Sequence, residues 1–195
     1  MPTMNITPTD ALIVVDVQRD FCPGGALPVN DGDAIVSGIN LVSPRFTQRI
    51  YTRDWHPANH CSFSESPGFV DRSWPAHCVA KTQGADFHPA LIVPPDALVV
   101  SKGTDPLREA YSGFDGTTLS DTLKARGVRR IFVCGLATDY CVKATALDAV
   151  KNGFETYLIE DLCRGVDIPQ GSAKAAVDAL IVAGVKPCLS GDIHE

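Results

Sequence analysis

No stretch of this 195-residue chain approaches the run of about 20 apolar residues that a membrane-spanning helix needs, so no membrane partner is expected. No basic, apolar and small-residue sequence opens it, so no signal peptide is expected. Basic charge is in deficit. Lys and Arg number 17 against 23 Asp and Glu, and the net charge of −6 argues against a broad surface for nucleic acid. There is no internal repeat, low-complexity tract or linker, and residues 1–195 suit one domain with a substantial core. The seven cysteines show no framework spacing. An odd number with no leader points to reduced thiols in the cytoplasm. No Gly-x-Gly-x-x-Gly follows the first apolar run, and Gly24-Gly25 lies in a loop, which argues against a dinucleotide-binding oxidoreductase. Composition does not fix an oligomeric state, and a homo-oligomer stays open.

What is present alternates. Short β-rich runs at 11–15, 49–52, 97–100, 131–134 and 156–159, with a short sixth at 185–188, are separated by helical patterns over about 33–43, 117–126, 140–152 and 169–183. The apolar runs lack a period of two, as expected of strands buried on both faces. The pattern predicts an α/β fold: a three-layer α/β/α, Rossmann-like arrangement around a mainly parallel sheet of five to six strands. Residues 55–96 interrupt it with no convincing long element, yet hold both tryptophans and four of the five histidines. A loop insertion of that length in a compact domain is usually functional.

Ligands of an open parallel sheet bind beyond the carboxyl ends of the strands. The strand ends here deliver Asp16, Asp54 followed by His56, Lys102, and, after a sharp turn, Cys141. Cys141 is expected in the first turn of a helix, where unpaired N–H groups and the helix dipole lower a thiol pKa. A thiolate can attack a carbonyl carbon. A carboxylate can move the thiol proton, and an ammonium can hold both anions. Backbone N–H groups in the turn 136–141 can form an oxyanion hole.

Asp54-x-His56 in extended chain puts both side chains on one side, and His77 supplies a third corner. Such an O,N,N set with open positions suits zinc, manganese or iron(II) at a catalytic centre, with His60 or Glu65 as a further ligand. Surface histidines in a turn explain the same spacing. His60-Cys61 and His77-Cys78 also raise a structural zinc or redox module, but adjacent residues in extended chain point to opposite faces and the spacing fits no zinc finger.

Two segments resemble motifs of the cysteine hydrolases related to isochorismatase: Asp16-Val17-Gln18-Arg19-Asp20-Phe21 and Gly135-Leu136-Ala137-Thr138-Asp139-Tyr140-Cys141-Val142. Asp54-Trp55-His56-Pro57-Ala58-Asn59-His60, Trp74-Pro75-Ala76-His77-Cys78, and the stretch from Lys102-Gly103 to Tyr111-Ser112-Gly113-Phe114 narrow the resemblance to nicotinamidases, or pyrazinamidases. It runs from about residue 11 to 167. It implies hydrolysis of nicotinamide, and of pyrazinamide, to the acid and ammonia, through a Cys141 thioester. Asp16 is then the general base and acid, Lys102 the third catalytic member, and the N–H groups of Ala137 and Cys141 the oxyanion hole. Phe21, Trp74 and Tyr111 form the aromatic walls. Asp54, His56 and His77 hold one divalent metal, zinc before iron or manganese, which faces the pyridine nitrogen. The family also carries a cis peptide before the residue matching Ala137. Relatives acting on other amides need no metal.

Overall fold

The computed structural model describes residues 3–194. Eight strands follow in chain order: β1 (Met4–Asn5), β2 (Asp10–Val15), β3 (Gln48–Asp54), β4 (Leu98–Lys102), β5 (Arg130–Leu136), β6 (Glu155–Arg164), β7 (Lys186–Cys188) and β8 (Ile193–His194). Four α-helices lie between them: α1 (Val36–Val42), α2 (Leu119–Ala125), α3 (Lys143–Lys151) and α4 (Ser172–Val182). Six strands form one sheet in the order β4-β3-β2-β5-β6-β7, every pair parallel. This is the doubly wound order, with its switch point between β2 and β5. Every residue of β2 is buried, so helices or loops cover both faces of the sheet there.

The helices bury one stripe each. Val36, Ile39 and Val42 are the inward positions of α1, and Ala176 and Leu180 those of α4. In α3 they are Thr145, Ala146 and Ala149, small enough for close approach to β5 and β6. Where β5 meets β2, Gly135 has φ 119°, and a Cβ there would lie 2.2 Å from the Val15 carbonyl oxygen. Only glycine lets the two strands at the switch point stay paired to their ends.

Three details depart from the sequence expectation. The helix beginning near 140 starts as a π-turn over Thr138–Val142. The final sheet strands reach further, with β3 running to Asp54 and β6 to Arg164. The C-terminal residues, unreadable in sequence, pair as β8 in parallel with β1. Between β3 and β4 the long connection holds a single 3-10 turn, Gln83–Ala85, among its assigned helices. No helix among the described residues is long and apolar enough to cross a membrane.

Candidate active site

Three neighbouring strands end in charge. Asp16 follows β2 in the left-handed region, φ 48°, and its side chain turns into the sheet's rim. Asp54 and Lys102 are register partners at the ends of β3 and β4. Lys102 is buried, with its Nζ 2.8 Å from Asp16 Oδ2, 2.5 Å from Asp54 Oδ1 and 3.3 Å from Cys141 Sγ. It also donates to the Ala110 carbonyl at 3.2 Å. Carboxylate oxygens of Asp16 and Asp54 and the Cys141 sulfur lie within 4.8 Å of one another. Thr52 Oγ1 donates to Asp16 Oδ1 at 2.6 Å, and the buried Oδ2 faces the Lys102 ammonium.

Electrostatics divides the cluster. Burial alone would discharge Lys102, but Asp16, Asp54 and Cys141 outweigh it and hold the ammonium well above the usual lysine range. Burial also raises Asp54, and there Lys102 and the two histidines win, holding the carboxyl well below its ordinary range. Burial raises Asp16, with Lys102 opposing and Asp54 adding. Cys141 is pushed well above the ordinary thiol value, first by burial, against Lys102, and then by the two carboxylates. This corrects the expectation of a thiolate lowered by a helix start. Cys141 sits inside the π-turn beside two acids, so the resting thiol keeps its proton and needs a base.

The turn carrying Cys141 is tightly organised. The Ala137 carbonyl accepts from both Tyr140 and Val142 N–H, at 3.1 Å each. The Leu136–Ala137 peptide is cis, as the family resemblance implies. Ala137 N–H has no acceptor among the described residues, which leaves it available to an anion at the cysteine. Asp139 faces away, accepting from Val166 N–H, Asp167 N–H and the Ser172 hydroxyl, and so ties the 166–172 segment against the turn.

The histidines assemble from the long connection. An isolated bridge between His56 and Val79, with His56 N–H on the Cys78 carbonyl, brings His77 beside His56. Asp20 ties that segment down, its two oxygens accepting Cys78 N–H at 2.7 Å and Ala26 N–H at 3.2 Å. Gln18 does the same at the end of β3, exchanging bonds with both backbone groups of Asp54 and donating to Ala85. These two motif residues had no chemical role legible in sequence; they are positioning residues.

Ligand atoms of Asp54, His56 and His77 lie within 4.8 Å of one another, all three buried. His56 Nδ1 donates to the Gly103 carbonyl at 2.9 Å and His77 Nδ1 to that of Pro75 at 2.8 Å, so both Nε2 atoms are free of backbone partners. His56 Nε2 and Asp54 Oδ2 are 3.5 Å apart, close to the ~3.4 Å that two ligands at about 2.1 Å span on a tetrahedral ion. The donor set therefore fits a divalent metal. Gly103 has φ 63°, and a Cβ there would come 2.4 Å from the His56 ring. Burial lowers the pKa of His77, which favours the neutral, ligand-competent ring. The His60 ring lies tilted against that of His56, 4.1 Å between centroids, but its Nδ1 faces Ser62 and its Nε2 donates to the Arg108 carbonyl. Glu65 is exposed and belongs to no ligand set; Glu109 stands with His56 and His60 instead. Cys61 is exposed and Cys78 buried, and neither joins such a set, which removes the thiolate zinc module.

Between cysteine and histidines lies a pocket of about 410 Å³, its mouth included. Phe21, Trp74 and Tyr111 line it, together with Asp54, His56, His77, Ala137 and Cys141. Trp74 Nε1 donates to the Tyr111 hydroxyl at 3.1 Å, and Trp74 meets Tyr140 edge-on at 5.0 Å between centroids. Sequence reasoning missed Leu27, Glu109, Tyr140 and Val166 in this lining. Tyr140 sits inside a quoted motif next to Cys141, and Glu109 lies in the stretch between Lys102 and Tyr111; Leu27 and Val166 carry no signal. The cavity combines aromatic walls, a cysteine thiol and a donor set that fits a metal, which suits an aromatic amide.

Residues 10–188 match the isochorismatase domain family. The chain is 42% identical to the nicotinamidase of Escherichia coli K12, covering 88% of this chain and 91% of that protein. The pyrazinamidase of Pyrococcus horikoshii in complex with zinc superposes with a TM-score of 0.84 at 46% identity, over 93% and 99% of the two chains. An L. infantum protein in complex with nicotinate gives a TM-score of 0.89 at 40% identity, over 100% and 99%.

Proposed function

The chain belongs to the isochorismatase family, and from that premise we propose that it hydrolyses nicotinamide, and pyrazinamide as well, to the carboxylic acid and ammonia. The observation that carries this reading is one pocket lined by Cys141, which Asp16 and Lys102 back from within the fold, and by the Asp54, His56 and His77 donor set. A metal-free amidase of this family has no use for that donor set. The similar proteins named for nicotinamide and pyrazinamide hydrolysis support the same substrate class.

Asp54, His56 and His77 would hold the divalent ion, zinc in our proposal, which when bound supplies an electrophilic anchor for a ring nitrogen. The zinc complex of the Pyrococcus horikoshii relative supports that choice. Phe21, Trp74 and Tyr111 sandwich the ring and exclude water from the amide. Asp16, with a carboxylate oxygen within 4.8 Å of the sulfur, takes the Cys141 proton as the sulfur bonds to the amide carbon. Lys102 stays charged throughout and holds Asp16 and the sulfur in register. The developing oxyanion is held by the N–H groups of Ala137 and Cys141. When the carbon–nitrogen bond breaks, Asp16 returns the proton to the departing nitrogen, and ammonia leaves a thioester. Water then attacks that carbon as Asp16 takes its proton, the carbon–sulfur bond breaks, and Asp16 passes that proton to the departing sulfur, restoring the thiol as the acid leaves. All seven cysteines are free, which supports a cytoplasmic setting for this chemistry.

The test is ammonia release from nicotinamide by purified protein before chelation, after it, and after zinc is restored. Loss and recovery of activity are expected. Full activity after thorough metal removal would leave the cysteine chemistry and overturn the role given to the histidines.

A further inference from the structure

The charge balance of the proposed centre is unfinished. Asp54 is its one carboxylate among the three ligands, and Oδ1 of that carboxylate already carries the Lys102 ammonium at 2.5 Å. Asp16, the other acid nearby, also faces Lys102. A dication and the buried ammonium would thus bring three positive charges against two carboxylates, with neutral histidines between them. Burying uncompensated charge is costly, so a third carboxylate is expected close by.

Glu109 occupies that position. Its carboxylate lies within 4.8 Å of ligand nitrogens of both His56 and His60, and it lines the pocket beside Asp54, His56 and His77. Its placement is built. Oε1 accepts the Ala110 N–H at 3.0 Å, the Ala110 carbonyl accepts from Lys102, and His60 Nε2 donates to the Arg108 carbonyl at 3.2 Å. The segment 108–110 is therefore held between His60 and the catalytic lysine.

Building on the metal centre proposed above, we propose that Glu109 is the second carboxylate of the cation site, supplying the charge that Asp54 shares with Lys102, with His60 as the residue that positions it. The site then offers two acids and two imidazoles, and its affinity depends on an acid outside the Asp-x-His motif.

Zinc alone, titrated against a chromophoric chelator, tests this in four proteins: wild type, Glu109→Gln, Glu109→Ala and His77→Ala. Glu109→Gln keeps an oxygen for the Ala110 N–H and removes only the charge. The expected result is a loss of zinc affinity of about ten- to a hundredfold in Glu109→Gln, matched by Glu109→Ala, with the metal-free melting temperature of Glu109→Gln unchanged. Wild-type affinity in Glu109→Gln overturns the proposal, whether or not Glu109→Ala weakens binding, because the residue then acts through its backbone contact or not at all. Failure of wild type to bind zinc, or wild-type affinity in His77→Ala, overturns the three-ligand centre itself and Glu109 with it.

Discussion

At the scale of single residues, the site depends on buried charges that stabilise one another. Lys102 keeps its proton because three acidic groups face it, and Asp54 keeps its charge because Lys102 and two histidines do. For Cys141, burial and the two carboxylates outweigh the help from Lys102, so it rests as a thiol, and the proposed mechanism needs Asp16 as a base as well as a charge partner. Gly103 shows how little room the arrangement leaves. In Gly103→Ala, a left-handed backbone costs about 1 kcal/mol, and the new methyl group would meet the His56 ring at 2.4 Å. Weakened zinc binding with a modest drop in melting temperature is expected. Unchanged metal affinity in a titration of that variant would show that His56 has freedom to move.

At the scale of elements, pairing registers decide which residues meet. Asp54 and Lys102 are opposite each other because β3 and β4 pair from Ile50↔Leu98 onward, and Asp10 opposes Arg130 at the start of β2 and β5. Arg130 Nε donates to Asp10 Oδ1 at 2.7 Å, and its Nη2 reaches the Asn5 carbonyl on β1. Burial raises Asp10, but Arg130 and Thr7 outweigh it, so its folded pKa lies below the ordinary 3.8. A depressed carboxyl contributes stability that is fully present above its unfolded value and is lost as pH falls through the folded one. Asp10→Asn should therefore cost roughly 2 kcal/mol at neutral pH, between the values of exposed and fully buried pairs. The difference from wild type should close as the pH drops below 3.8. Denaturant melts across that range measure it, and a difference constant with pH would contradict the pairing.

At the scale of the whole molecule, alternation in the sequence was enough to predict the parallel sheet, since strands buried on both faces are continuous apolar runs. The rim was legible too, because Asp16, Asp54, Lys102 and Cys141 each follow such a run. Loop closure was less so. His56 and His77 meet through one isolated bridge, and Glu109 reaches His56 and His60 from another crossover, neither of which has a period to read. The tail was illegible because two residues of strand carry no pattern. Yet Ile193 is fully buried and its carbonyl accepts from Arg45. Deleting residues 190–195 should cost about 1.5–3 kcal/mol for that side chain and lower the melting temperature, with amide hydrolysis retained. An unchanged melting temperature would mean the tail docks without stabilising the sheet.

The covalent route through Cys141 joins all three scales, and Cys141→Ala tests it most directly. Ammonia release from nicotinamide is followed alongside nicotinamide binding to the zinc-loaded protein. The account predicts that release falls to background while binding persists. Turnover retained in that variant would contradict it, because water would then be attacking the amide without a thioester.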